Sequence, residues 1–533
     1  MLAKTLQAAG AFALAALVPA APAAAMQTLA FTGGTVVDGS GAPGRIADIV
    51  TQDGRIVFVG ALDESGLTPD RIIAADGLVV APGFIDPHTH ALADLAAAEA
   101  DRRRSDNILF QGVTTVVVGN DGGGEPAVGS LAEDLRARGI GPNVGFLVGL
   151  GPIRTAVIGE DNRTATADEL ARMQAMLAGG MCEGAIGFST GLHYTPQNFA
   201  PLDEVVALAT VAAERGGLYD SHIRDESSYS QGLVASIEEA ITVGQRSGAP
   251  VHIAHIKALG PDVWGQSEAV IARVEAARAN GLRVTADQYP WRASGTRLAN
   301  ALVPRWALDG GREGLLARLD DPEVRPRLVA EMHDNLRRRA GAEALLLTRP
   351  LRGADPALGG HTLAAIAEQR GEDAVETAIA IIRSGGYRVA SFVMDGADIE
   401  AFAGQDWVMT ASDGSTGHPR RFATFPKAYR DLVVDGGMMS LERFVRRSTG
   451  LTADTFGFTG RGYLREGYIA DIVVFDPQSF APRAGYAAPE ELSEGVRYLL
   501  VNGALAIENG ATTGALAGQP VLRDTSHIDL CEE

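Results

Sequence analysis

Gly83-Phe84-Ile85-Asp86-Pro87-His88-Thr89-His90 is the stretch that decides the fold. An apolar β-run leads straight into His-x-His. Residues two apart on a strand point the same way, so His88 and His90 can hold one metal ion together. Two further runs also end on histidine: Gly217-Leu218-Tyr219-Asp220-Ser221-His222 and Val251-His252-Ile253-Ala254-His255. His222 and His255 lie 33 residues apart, about one strand–helix unit. His252, three residues before His255, points to the opposite face and is read as structural. Trp407-Val408-Met409-Thr410-Ala411-Ser412-Asp413-Gly414 ends the same way on a carboxylate.

Working outward, the middle of the chain alternates β-runs with helical stretches. Eight candidate parallel strands are Gly83–His88, Val113–Val118, Val144–Val148, Ala185–Ser189, Leu218–His222, Val251–His255, Arg283–Asp287 and Trp407–Asp413. Helical patterns such as Gln231–Ser247 and Ser267–Asn280 separate them. Eight such units with right-handed crossovers predict an α/β fold, a TIM-type (β/α)8 barrel whose active face is the C-terminal strand ends. That places the four histidines and Asp413 at one mouth. The long gap before the last strand, about 290–405, reads as a largely helical insertion, for example Asp321–Ala340 and Gly360–Ser384. Short β-rich runs at 26–80 and 466–533 predict a small β-sandwich domain built from both ends, flanking a barrel over 81–465.

The 533 residues are 46% apolar and 21% charged, enough to bury a sizeable core. The net charge of -20 argues against nucleic acid as a partner, since phosphate binding needs clustered cations. Residues 1–25 read as a cleavable secretory signal: Lys4, an apolar run from Ala8 to Val18, then Ala23-Ala24-Ala25. Export, to the periplasm of a bacterium, is the expectation. No later stretch is long and apolar enough to span a membrane. Cys182 reads as a packed core residue and Cys531 as part of a loose tail, with no disulfide framework expected.

With these motifs in place, the chain resembles the amidohydrolase superfamily and, within it, the N-acyl-D-amino-acid deacylases (D-aminoacylases). The resemblance covers nearly everything after residue 25. It rests on Gly83–His90, Gly112–Asn120, Gly184–Leu192, Ser221–Glu226, His255-Ile256-Lys257, Gln288-Tyr289-Pro290, Ser412-Asp413-Gly414 and Val501-Asn502-Gly503. It implies one or two zinc ions and hydrolysis of the amide bond of a small N-acyl amino acid. By resemblance, His88 and His90 form one metal position, His222 and His255 the other, and Asp413 is the general acid/base. The family carries a ligand cysteine after Val-Gly-Asn; here Asp121 stands in its place, a harder oxygen donor that can bridge two ions. Glu183 is a weaker alternative ligand.

The substrate carboxylate calls for Lys, Arg or Tyr beside the metal. Lys257 and Tyr289 fall at the family's substrate-binding positions; Arg224, Tyr194 and His418 are further candidates. Lys257 and Arg224 each follow a ligand histidine by two and are expected to share its direction. Gly187-Phe188-Ser189-Thr190-Gly191 matches the Gly-x-Ser-x-Gly elbow, but no helix pattern starts at the serine, so a serine nucleophile is not expected. Competing readings are opening of a cyclic amide, dipeptide cleavage, or a non-catalytic binding protein on the same scaffold.

Overall fold

The computed structural model describes residues 27–531; the signal-like segment 1–25 lies outside them. Eight parallel strands form one sheet in sequence order: Phe84–Asp86, Val113–Val118, Asn143–Gly149, Gly187–Gly191, Leu218–His222, Val251–Ile253, Val284–Gln288 and Val408–Thr410. The second is typical. Val113–Val118 is β-branched at every position and buried at all six, as expected of a strand covered on both faces. The eighth strand returns to the first, where the Asp413 amide donates to the His88 carbonyl at 2.9 Å and Thr89 bridges Gly414. The barrel so closes beside the histidines.

Helices Ala167–Cys182, Leu202–Glu214, Leu233–Ser247 and Ser267–Ala279 wrap the outside. The first begins on a capping box, with Thr166 and Glu169 satisfying each other's backbone amides. Both chain ends join one nine-stranded sheet, with Val79–Pro82 running parallel to Leu29–Val36 and antiparallel to Ile472–Phe475. A bridge between Arg55 and Ile469 rolls this sheet over its own core of Phe31, Ile49, Ile56, Val474 and Leu500.

The insertion between the last two barrel strands has a separate core around Leu302, Leu328, Ile379 and Tyr387. It is less helical than its sequence suggests. Ala293–Arg297, Leu345–Pro350 and Tyr387–Phe392 form an antiparallel sheet with the last in the centre. The single helical stretch expected over 360–384 is two helices, Leu363–Arg370 and Ala374–Arg383. Gly371, in the left-handed region at φ 65°, ends the first, and the Asp373 carboxylate caps the second.

The reading of the cysteines is corrected. Cys182 and Cys531 form a disulfide, with Cα atoms 5.3 Å apart across a separation of 349 residues. Distance along the chain hid this pairing. The C-terminal segment runs across the N-terminal end of the barrel, exchanging backbone hydrogen bonds with Val144 and donating one from the Arg523 amide to the Gly184 carbonyl on its way to Cys182. Among the described residues, no helix is long and apolar enough to cross a membrane.

Candidate metal centre

Several barrel strands stop earlier than their sequences suggest. The sixth ends at Ile253, not His255, and the eighth at Thr410, not Asp413. Beyond those ends the backbone turns sharply. Asp121, His255 and Asp413 have φ of 56°, 35° and 45°, three of the eight non-glycine residues in the left-handed region among the described residues. Such conformations cost about 1–3 kcal/mol each and cluster at functional sites. Here they turn three side chains inward over the barrel mouth.

Asp121 is the centre of the cluster. Its Oδ1 lies 3.4 Å from His88 Nε2, 3.4 Å from His222 Nδ1 and 3.2 Å from His255 Nε2, while Oδ2 lies 3.4 Å from His90 Nε2. His222 Nδ1 and His255 Nε2 are 2.7 Å apart. Asp413 Oδ1 sits 3.2 Å from His90 Nε2 and 3.8 Å from His88 Nε2. The donors fall into two overlapping groups, His88–His90–Asp121–Asp413 and Asp121–His222–His255, each compact enough to hold an ion, with Asp121 common to both.

The fit to a metal rests on an imbalance within the protein. His88 is fully buried, yet neither ring nitrogen has a hydrogen-bond partner, and His222 Nε2 has none either. Leaving a buried polar atom unmatched costs about 1–3 kcal/mol, and a metal ion resolves it at His88 Nε2. Imidazole with carboxylate is a donor set suited to zinc.

Electrostatics bind the cluster together. Burial pushes the Asp121 carboxyl up, but His88 and His255 outweigh it and hold the group well below the ordinary carboxylate range. Asp413 is likewise pushed up by burial and drawn down overall by Arg420 and His90. Burial lowers His88 and His90, but their carboxylate neighbours leave both raised. His255 is pushed down by burial and by Lys257; Glu226 and Asp121 bring it to about 9. His222 ends lowered, chiefly through burial.

Without an ion, His255, brought to about 9, carries a proton at pH 7, and a histidine must lose its proton to ligate. Metal loading at pH 7 should release protons, and affinity should fall about tenfold per pH unit per proton displaced as pH drops below about 9. Calorimetric titration in buffers of different ionisation heat measures this. Heats independent of buffer would contradict it.

The centre opens into a cavity of about 640 Å³ whose far wall is the insertion. His90 is the exposed ligand candidate, its side chain 37% accessible toward this space. Tyr194 lines the cavity, with its ring 4.6 Å from that of His222. Tyr289 is buried, its hydroxyl unpartnered and the Arg420 guanidinium 4.7 Å above its ring.

Three substrate-binding expectations meet a different geometry. Arg224 is turned away from the centre. It is engaged by both Glu239 oxygens and by the carbonyls of Asn198 and Ala200. The strand ends at His222, so the two-residue alternation used to place Arg224 no longer applies. Lys257 for the same reason folds back, and its ammonium donates to Glu226 and to the His255 carbonyl. His418 donates from Nε2 to the Ala293 carbonyl and accepts the Arg420 amide at Nδ1, bracing the turn that carries Arg420.

Glu183 lies outside the centre and accepts the Gly129 amide at 2.7 Å. Ser189 is within the fourth barrel strand, donating to Asp220 and accepting the Gly122 amide, and no helix begins there. His252 has the structural placement expected of it, donating to Asp287 and accepting from Thr285.

Sequence reasoning missed Arg420, which pairs with Asp413 Oδ2 at 2.8 Å, and the cavity arginines Arg297 and Arg388. Arg420 stands two residues after the candidate His418. Arg297 and Arg388 had no local signal, because only the pairing of two distant strands sets them opposite each other.

The chain belongs to the amidohydrolase family, whose model matches residues 71–507. It is 33% identical to a D-aminoacylase of Alcaligenes xylosoxydans xylosoxydans over 93% of this chain and 97% of that one. It is equally similar, at the same coverages, to an N-acyl-D-glutamate deacylase of that organism. Among solved structures it matches N-acyl-D-glutamate deacylase from Bordetella bronchiseptica, complexed with zinc and a phosphonate mimic of the tetrahedral intermediate. That match has a TM-score of 0.79 and 32% identity, covering 94% of this chain and all of that one.

Proposed function

We propose that the protein is a zinc-dependent deacylase of N-acyl-D-amino acids, releasing a carboxylate and the free amino acid. The observation that carries this reading is the pairing of an acid/base carboxylate with a metal-ligand cluster at the floor of a cavity walled by unpaired cations. Arg297 and Arg388 sit directly opposite each other on adjacent strands. Like charges in that arrangement repel, and burial together with Arg297 and Arg420 lowers the Arg388 pKa. Neither guanidinium has a protein carboxylate within ion-pair reach among the described residues. An anionic ligand relieves the repulsion, and the α-carboxylate of an N-acyl amino acid is such a ligand. The D configuration is taken from the relatives.

His88, His90, Asp121, His222 and His255 would hold a zinc ion, which would supply Lewis acidity and lower the pKa of a water at the centre. The chain's own residues do the rest. Arg420 holds Asp413 Oδ2, leaving Oδ1 toward His90 and the cavity. Asp413 accepts a proton at Oδ1 and returns it to the leaving nitrogen. Arg388 and Arg297 hold the substrate carboxylate, and Tyr194 closes the side nearest His222.

Arg388→Met should raise KM about 10–100-fold with a smaller change in kcat, the loss of a charged hydrogen bond being worth about 1.5–3 kcal/mol. Steady-state kinetics decide it; an unchanged KM would remove Arg388 from substrate binding. The reading as a whole is tested with a panel of N-acetyl-D-amino acids, their L forms, hydantoins and dipeptides. Hydrolysis of the D-amides is expected, and activity confined to the cyclic amides would overturn it.

Export is part of the proposal. The signal-like residues 1–25 support it, as does a disulfide, a bond that persists in oxidising compartments. Cell fractionation with N-terminal sequencing tests it; a cytoplasmic chain that retains residues 1–25 would refute it.

A further inference from the structure

Each histidine facing Asp121 has a second ring nitrogen facing away, and three of those nitrogens lie 3.1–3.7 Å from just two buried carboxylates, within reach of their charge though for His88 and His222 beyond hydrogen-bond distance. The His255 ring turns Nε2 to the centre, and its Nδ1 lies 2.7 Å from the Lys257 ammonium and 3.1 Å from Glu226 Oε1, the carboxylate that ammonium is paired with. His222 turns Nδ1 to the centre, with Nε2 3.7 Å from Glu226 Oε2. His88 turns Nε2 to the centre, with Nδ1 3.6 Å from Asp287 Oδ2. Asp287 also accepts the His255 backbone amide at 2.9 Å, the residue held in a left-handed turn.

We propose that Glu226 and Asp287 are positioning residues of the metal centre, Glu226 setting the rings of His222 and His255 and Asp287 setting His88 and the His255 backbone. This rests on the metal reading above.

The two carboxylates are anchored differently. Asp287 is fully buried at the end of the seventh barrel strand, and His252 Nε2 donates to it at 2.9 Å from beneath. His252 is itself fixed by Thr285. His252 within the sixth strand and the backbone amide of His255, two residues past its end, thus reach one carboxylate from below and above. Glu226 lies past the end of the fifth strand and is held by the Lys257 ammonium. That contact gives Lys257 a role in the centre distinct from substrate binding: it fixes the carboxylate that fixes two rings.

A carboxylate behind a ligating imidazole selects the tautomer, limits ring rotation and raises ligand basicity. Losing such a partner weakens metal binding about 10–100-fold. Glu226 touches only the His222–His255 group, so its loss should weaken one of the two positions. Asp287 reaches His88 in one group and His255 in the other, so its loss should weaken both.

The test is zinc binding by Asp287→Asn and by Glu226→Gln combined with Lys257→Met, which avoids stranding a buried ammonium. Competition against a chromophoric chelator gives affinity and stoichiometry. The visible spectrum of the cobalt-loaded proteins reports ligand geometry, and melting of the metal-free proteins reports any purely structural effect. Expected are a 10–100-fold loss of zinc affinity, at one equivalent for the Glu226 variant and at both for Asp287→Asn, with altered cobalt spectra. Wild-type affinities and spectra in both variants would overturn the proposal, as would losses fully matched by destabilisation of the metal-free proteins. A wild-type protein that binds no zinc in the same titration would instead overturn the metal reading on which it rests.

Discussion

Asp413→Asn should lower kcat about 10²–10⁴-fold, the usual contribution of a positioned general acid/base, while KM changes little. The amide keeps the size of the carboxylate and can still accept the Arg420 hydrogen bond through its oxygen. It cannot accept a proton from water or deliver one to nitrogen. Zinc should largely remain, because His88, His90 and Asp121 still face that position. Stability should fall, because Arg420 is 1% exposed and loses the buried anion 2.8 Å away; breaking one side of such a pair costs about 3–5 kcal/mol. Kinetics, metal content and melting are therefore read on the same sample. A folded, zinc-loaded variant with wild-type kcat would remove Asp413 from the chemistry.

Asp121→Ala should be at least as damaging, by a different route. Four histidine nitrogens face the two Asp121 oxygens at 3.2–3.4 Å, so this carboxylate is the one donor shared by both ion positions. Its loss should weaken zinc binding by more than the 10–100-fold typical of an outer partner, with activity falling in parallel. A counter-effect exists. Without Asp121 the pKa values of His88 and His255 fall, so fewer protons compete with the metal. That gain is at most the cost of displacing those protons, whereas a direct ligand is lost at both positions. Zinc titration of the variant decides which effect wins; unchanged stoichiometry and affinity would show that Asp121 is only a turn residue.

The barrel was legible because its signals are local. Each buried parallel strand is a short β-branched run, and the residues that face the centre follow directly on strand ends. The same locality explains the failures. Alternation by two predicts direction only while the strand lasts, and the fifth and sixth strands end at His222 and Ile253. Arg224 and Lys257 lie beyond those ends, and their partners Glu239 and Glu226 decide where they point. The Cys182–Cys531 bond and the facing pair Arg297–Arg388 join segments far apart in the chain. Asp287 and Glu226 look like ordinary acidic residues in sequence. Only the closed barrel shows that their oxygens meet the rear of the histidine rings.

The central claim is that a metal ion at Asp121 and its four histidines makes this chain an amide hydrolase. Its most direct test is elemental analysis of the purified protein coupled to hydrolysis of an N-acetyl-D-amino acid before chelation, after chelation and after zinc is restored. The account predicts one or two equivalents of a zinc-like metal, loss of activity on chelation and recovery with zinc. Hydrolysis that persists in metal-free protein would contradict it.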